Sequence, residues 1–108
     1  MAMFDFLTRS PIHQGIQRFE ATPGGVLLDV RSPQEYRQGH IPGSENLPLQ
    51  DIESIAWLWE DRQTPLFVYC HSGARSGQAA AVLKELGYQN VSNIGGIAAY
   101  KGKVVRSL

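Results

Sequence analysis

Residues 65–89 read PLFVYCHSGARSGQAAAVLKELGYQ, and the order of residue types within them decides the fold. Leu66 to Tyr69 is a short apolar run after Pro65, the pattern of a strand buried on both faces. It passes straight into Cys70-His71-Ser72-Gly73-Ala74-Arg75. Beyond this loop Ala79, Val82, Leu83 and Leu86 recur at helical spacing until Gly87 offers a left-handed stop. Strand, loop and amphipathic helix in direct succession are the opening of a βα unit. In open α/β sheets ligands bind at this junction, outside the carboxyl ends of the strands.

The alternation extends in both directions. Upstream, Ser10-Pro11 reads as a cap followed by a helix-opening proline, with Ile12, Ile16 and Phe19 on one face of a short helix that Gly15 weakens. Thr22-Pro23-Gly24-Gly25 breaks it, and Val26 to Val30 is a nearly continuous apolar run whose one charge is Asp29. Ser32-Pro33-Gln34-Glu35 predicts a capping box and a brief helix ended by Gly39. His40 to Gly43 reads as a tight turn and Glu45 to Leu47 as a short strand; Asp51 then caps a helix that turns Ile52, Ile55, Ala56 and Trp59 inward. Downstream, Val91 to Ile94 reads as a last strand, after which Gly95-Gly96 opens a small helical segment through Tyr100 and a polar tail. Strands alternating with helices predict an α/β three-layer domain, a parallel sheet covered on both faces.

Composition narrows the function. The 108 residues are expected to form one domain, 1–108, because a split would leave pieces too small for separate cores. With 43% hydrophobic and 19% charged residues the chain has material for a core and a polar surface. Ten basic residues balance ten acidic ones, so no broad cationic field draws phosphate backbones or anionic lipids, and neither nucleic acid nor membrane is expected as a partner. The start, MAMFDFLTRSP, holds too short an apolar run for a secretion signal or a bilayer span, from which a cytoplasmic location is expected. A monomer is expected as well. One cysteine excludes an internal disulfide, and one cysteine with histidines at 13, 40 and 71 lacks the spacings of a zinc site, so neither metal nor cofactor is expected.

A lone cysteine is more often a small buried hydrophobe than a reactive group. The neighbours of Cys70 reverse that weighting. Gly73 frees the loop to curl so that successive amides face the sulfur, a concavity suited to an anion. The helix expected to begin near Ser76 adds unpaired amides and its positive dipole end, which favours a thiolate. Such a thiolate can take the outer sulfur of thiosulfate as a persulfide and yield it to a second nucleophile. Cys70 is the candidate catalytic residue, and His71, Ser72, Gly73, Ala74, Arg75 and Ser76 are the candidate substrate-binding residues. Arg75 reads equally as an anion contact and as a loop brace held by a carboxylate; His71 reads as an acid or base, or as a side chain facing solvent.

The segments LLDVRSPQEYRQGHIPGSENLP (27–48) and PLFVYCHSGARSGQAAAVLKELGYQNVSNIGGIAAYKG (65–102) resemble the single-domain rhodanese family over most of the chain. The resemblance implies a rhodanese-like fold with a five-stranded parallel sheet flanked by helices, and a thiosulfate:cyanide type of sulfurtransferase. It implies a small-molecule sulfur donor and a thiol or cyanide acceptor, among them a thioredoxin-like protein. Cys70 matches the family's sulfur-accepting cysteine, and His71 to Arg75 match the loop whose amides hold substrate or persulfide. Asp29, Arg31, Glu35 and His40 match motif positions too; for these, bracing of loops is the stronger reading. Tyr100 departs from the family's tryptophan, which puts substrate preference in doubt.

Two rivals remain. Cysteine-dependent phosphatases also use a cysteine, an amide nest and an arginine, but with five intervening residues where Cys70 and Arg75 enclose four, His71 to Ala74. A non-enzymatic rhodanese module for docking or sulfur sensing is the alternative of a different class, although such modules often lack the cysteine.

Overall fold

A computed structural model describes residues 10–107. Four strands form one parallel sheet in the order β2-β1-β3-β4: β1 (Val26–Asp29), β2 (Ser44–Asn46), β3 (Leu66–Cys70) and β4 (Val91–Gly96). The helices are α1 (Pro11–Glu20), α2 (Pro33–Gln38), α3 (Ile55–Leu58) and α4 (Ala74–Glu85), with 3₁₀ turns at Leu49–Ser54 and Ile97–Ala99. Every residue of β3 is buried, as its apolar run requires of a central strand. Two cores lie on opposite faces of the sheet. One gathers Leu28, Val30, Ile52, Ile55, Val68, Ala79 and Leu83, and the other Ile12, Leu27, Ile41, Phe67, Tyr69 and Ile94. This is the three-layer α/β arrangement.

The described residues contain four strands and not the five that the resemblance implies. The four segments read as strands in the sequence are the four strands, with ends shifted by up to two residues. The tail offers only Val104-Val105, and Val105 makes a single antiparallel bridge to His40. The helix expected from Asp51 also differs. Pro48 turns the chain, the Leu49 amide donates to the Val30 carbonyl, and the Asp51 amide closes onto Pro48 at 2.8 Å, so a 3₁₀ turn forms around Asp51 and α3 starts only at Ile55. Ile52 and Ile55 are nonetheless buried as their spacing predicted.

Two close approaches fix how the layers meet. A Cβ on Gly15 would lie 2.3 Å from the Ile94 Cβ, so the glycine that weakens α1 locally is what lets that helix lie against β4. At the other junction, a Cβ on Gly96 would lie 2.1 Å from the His71 carbonyl oxygen and 2.6 Å from the Ser72 Cα. The end of β4 therefore presses directly on the segment after Cys70. Among the described residues no helix is long and apolar enough to cross a membrane.

Candidate active site

Cys70 is the last residue of β3 and is fully buried. The chain turns at Gly73, whose φ of 105° is the left-handed conformation that glycine adopts without strain, and α4 starts at Ala74. The helix thus begins two residues earlier than expected, because Gly73 occupies the cap position. Arg75 and Ser76 consequently sit in the first helical turn.

This geometry aims donors at the sulfur. The Gly73 amide donates to Cys70 Sγ at 3.0 Å, and the Ser76 hydroxyl, itself buried, lies 3.5 Å from it. Burial pushes the thiol pKa up, but the Ser76 hydroxyl and the amides of Ser76, Gly73 and Ser72 outweigh it, leaving Cys70 below its ordinary value. His71 and Ser72 form the exposed arm above the sulfur, and Ala74 is exposed at the start of the helix. The His71 carbonyl accepts from the Ala98 amide at 3.1 Å, which ties the arm to the segment after β4.

Arg75 is held by a carboxylate. Its Nη1 donates to Glu35 Oε1 at 2.8 Å and its Nη2 to Oε2 at 3.1 Å. Glu35 also accepts from the Ser32 amide at 3.0 Å while its own amide donates to Ser32 Oγ, the capping box anticipated for α2. One carboxylate thus clamps the start of α2 to the first turn of α4. The guanidinium beside it, together with the Ser32 amide, holds the Glu35 pKa at about 2 despite some burial.

The other motif positions brace the floor. Asp29 is buried at the end of β1 and accepts from the Arg31 amide, Nε and Nη2, the last at 2.7 Å, while the same Nη2 donates to the Gly39 carbonyl. His40 is buried, stacks on Tyr36 with ring centres 3.6 Å apart, and shares a 2.8 Å hydrogen bond with the Tyr36 carbonyl through Nδ1. Tyr100 stacks on His13 at 5.3 Å. One participant escaped the sequence reading: Asn93 on β4 donates from Nδ2 to the Gly73 carbonyl at 3.1 Å and accepts from Ser76 at 2.7 Å through Oδ1.

A buried cysteine at a strand's carboxyl end, with the Gly73 amide on its sulfur and a helix starting at Ala74, defines a cysteine-loop α/β domain. Residues 13–103 match the rhodanese-like domain family, and the chain belongs to it. It is similar to the thiosulfate sulfurtransferase PspE of Escherichia coli strain K12, 44% identical over 71 residues that cover 65% of this chain and 68% of that protein. It is also similar to the thiosulfate sulfurtransferase GlpE of Pseudoalteromonas translucida, 38% identical over 86 residues that cover 75% of this chain and 81% of the relative. Among solved structures, a rhodanese with anions from E. coli superposes with a TM-score of 0.70 at 38% identity, over 76% of this chain and 98% of the other.

Proposed function

We propose that the chain is a sulfurtransferase that moves a sulfane sulfur from a small donor such as thiosulfate to a thiol or cyanide through a persulfide on Cys70. The observation that carries the reading is the Gly73 amide donating to Sγ at 3.0 Å, with the Ser76 hydroxyl within reach at 3.5 Å, in a member of a family whose relatives are named thiosulfate sulfurtransferases. In the first half-reaction the Cys70 thiolate attacks the outer sulfur of thiosulfate; a new S–S bond forms, and the old one breaks with its electron pair leaving on sulfite. The negative charge then rests on the outer sulfur, within the reach of the loop amides. In the second, the acceptor attacks that sulfur and the Cys70 thiolate leaves. Both steps are two-electron displacements that the protein supports by position and electrostatics.

Access bears on the rate. Cys70 has essentially no solvent-exposed surface, and the His71 and Ser72 residues that follow it are exposed, so a donor approaches Sγ from their side of the loop. With no second cysteine in the chain the persulfide has no internal thiol to resolve it, and an external nucleophile, a small thiol or the exposed cysteine of a thioredoxin-like protein, collects the sulfur. The bidentate hold of Glu35 on Arg75 and the four-residue separation favour sulfur over a tetrahedral phosphate.

The test is turnover of thiosulfate with cyanide as acceptor by the wild type and by Cys70→Ser. Oxygen fits the site but lacks the polarisable low-pKa nucleophile, so transfer is abolished while the fold persists. Equal transfer by a folded Cys70→Ser protein refutes the persulfide. A wild type inactive with every donor favours the docking or sulfur-sensing module.

A further inference from the structure

The Ser76 hydroxyl has one proton and two claimants. It lies 2.7 Å from Asn93 Oδ1 and 3.5 Å from Cys70 Sγ. The Asn93 amide cannot be turned over, because Oδ1 accepts from the Gly95 amide at 3.1 Å and Nδ2 donates to the Gly73 carbonyl at 3.1 Å; a flip would set donor against donor and acceptor against acceptor. Asn93 reaches the loop because β4 is irregular there: Val68 pairs with Asn93 but Tyr69 with Gly95, so a bulge at Ile94 re-aims the preceding side chain. With Oδ1 fixed as an acceptor, the only proton available between it and Ser76 is the hydroxyl's own.

We propose that Asn93 is a positioning residue that draws the Ser76 hydroxyl off Cys70 whenever the inner sulfur is uncharged, and so favours the persulfide over the free thiolate. The proposal rests on the persulfide reading above. With a free thiolate the hydroxyl turns to Sγ and gives up Asn93. Once sulfur is taken up, the charge moves to the outer atom, Sγ becomes a neutral divalent sulfur, and the hydroxyl returns to Oδ1. The charged groups around Cys70 are engaged elsewhere: Asp29 with Arg31 at the end of β1, and Glu35 on α2 with Arg75. His71, Asp51 and Glu53 face solvent, as do Lys84 and Glu85 at the far end of α4.

The experiment follows the iodoacetamide rate against pH for wild type, Asn93→Leu, Ser76→Ala and the double variant, each checked by its melting curve. Leucine is close to the amide in size and offers the hydroxyl no acceptor. A released hydroxyl serves the thiolate without forfeiting a partner, so Asn93→Leu moves the midpoint down by about half to one unit, the worth of one neutral hydrogen bond. In the Ser76→Ala background the same substitution produces no shift. In parallel, the loaded fraction at fixed thiosulfate and sulfite yields an equilibrium constant about 3- to 10-fold lower in Asn93→Leu. An upward shift, no shift, or an equal shift in both backgrounds overturns the proposal in favour of simple loop bracing. If the wild type takes up no sulfur, the persulfide reading fails, and the alkylation profiles still decide where the hydroxyl points.

Discussion

Gly96→Ala is the substitution whose cost is most directly read from the coordinates. The added methyl would stand 2.1 Å from the His71 oxygen, 2.6 Å from the His71 carbonyl carbon and 2.6 Å from the Ser72 Cα, all backbone atoms with no rotamer to change. Even a tight contact of about 3.0 Å requires the strand end and the arm to part by about 0.9 Å, the difference from 2.1 Å. The Ala98–His71 hydrogen bond lies across the same seam and lengthens with it. Overpacking of this kind costs about 1–3 kcal/mol of stability. The displaced segment is the one that carries the amides around Sγ, and a misplacement near 1 Å at reacting groups costs about 100-fold in rate. The assay is the single-turnover rate of sulfur uptake from thiosulfate, alongside thermal unfolding. A folded Gly96→Ala protein that takes up sulfur at the wild-type rate would refute the claim that the end of β4 sets the loop. Gly24→Ala is the control, since nothing lies within 4 Å of its Cβ position and only the positive φ of 77° is strained.

Other outcomes follow from the charged groups. Arg31→Met removes the partner of the fully buried Asp29 and should destabilise the chain by about 3–5 kcal/mol in denaturant titration; a loss near zero would mean that Asp29 is solvated. Glu35 has its pKa lowered from 4.5 to about 2 in the folded chain, so its contribution is present above pH 4.5 and is lost as the pH falls from there toward 2. Because its side chain and that of Arg75 are 35% and 38% exposed, the contribution is below about 1 kcal/mol, and Glu35→Gln should flatten stability across that window while leaving neutral pH little changed. Cys70 is displaced downward, so its iodoacetamide profile should have a midpoint below the value of about 8.5 for a free thiol; a midpoint at or above it would mean that the donors do not act on sulfur.

The parts of the fold that the sequence disclosed are those set by local chemistry. The apolar run Leu66–Tyr69 requires burial on both faces, Ser32 and Glu35 are three residues apart as a capping box demands, and Gly87 takes its left-handed stop at φ 99°. The cysteine loop was legible for the same reason: Gly73 marks a turn between strand and helix wherever the rest of the chain lies. Long-range partners were not legible. Whether Arg75 met an anion or a carboxylate was open until Glu35, 40 residues away, closed on it. Gly15 looked like a flaw in α1 because its reason is Ile94, on a strand that begins more than 70 residues later. Asn93 carried no signal of its own, since a polar residue in an exposed strand position is ordinary; the mark of the bulge that turns it toward Ser76 is Gly95, at φ 104°, whose glycine pair reads in sequence as the opening of the last helical segment.

The central claim, that Cys70 carries the sulfur, is tested most directly by intact-protein mass spectrometry after incubation with thiosulfate and removal of excess donor. The account predicts a gain of one sulfur atom, located at Cys70, absent in Cys70→Ser, stable on its own and lost promptly when cyanide or a thiol is added. A wild-type protein that gains no sulfur from any donor, or a Cys70→Ser protein that gains it equally, would contradict the account.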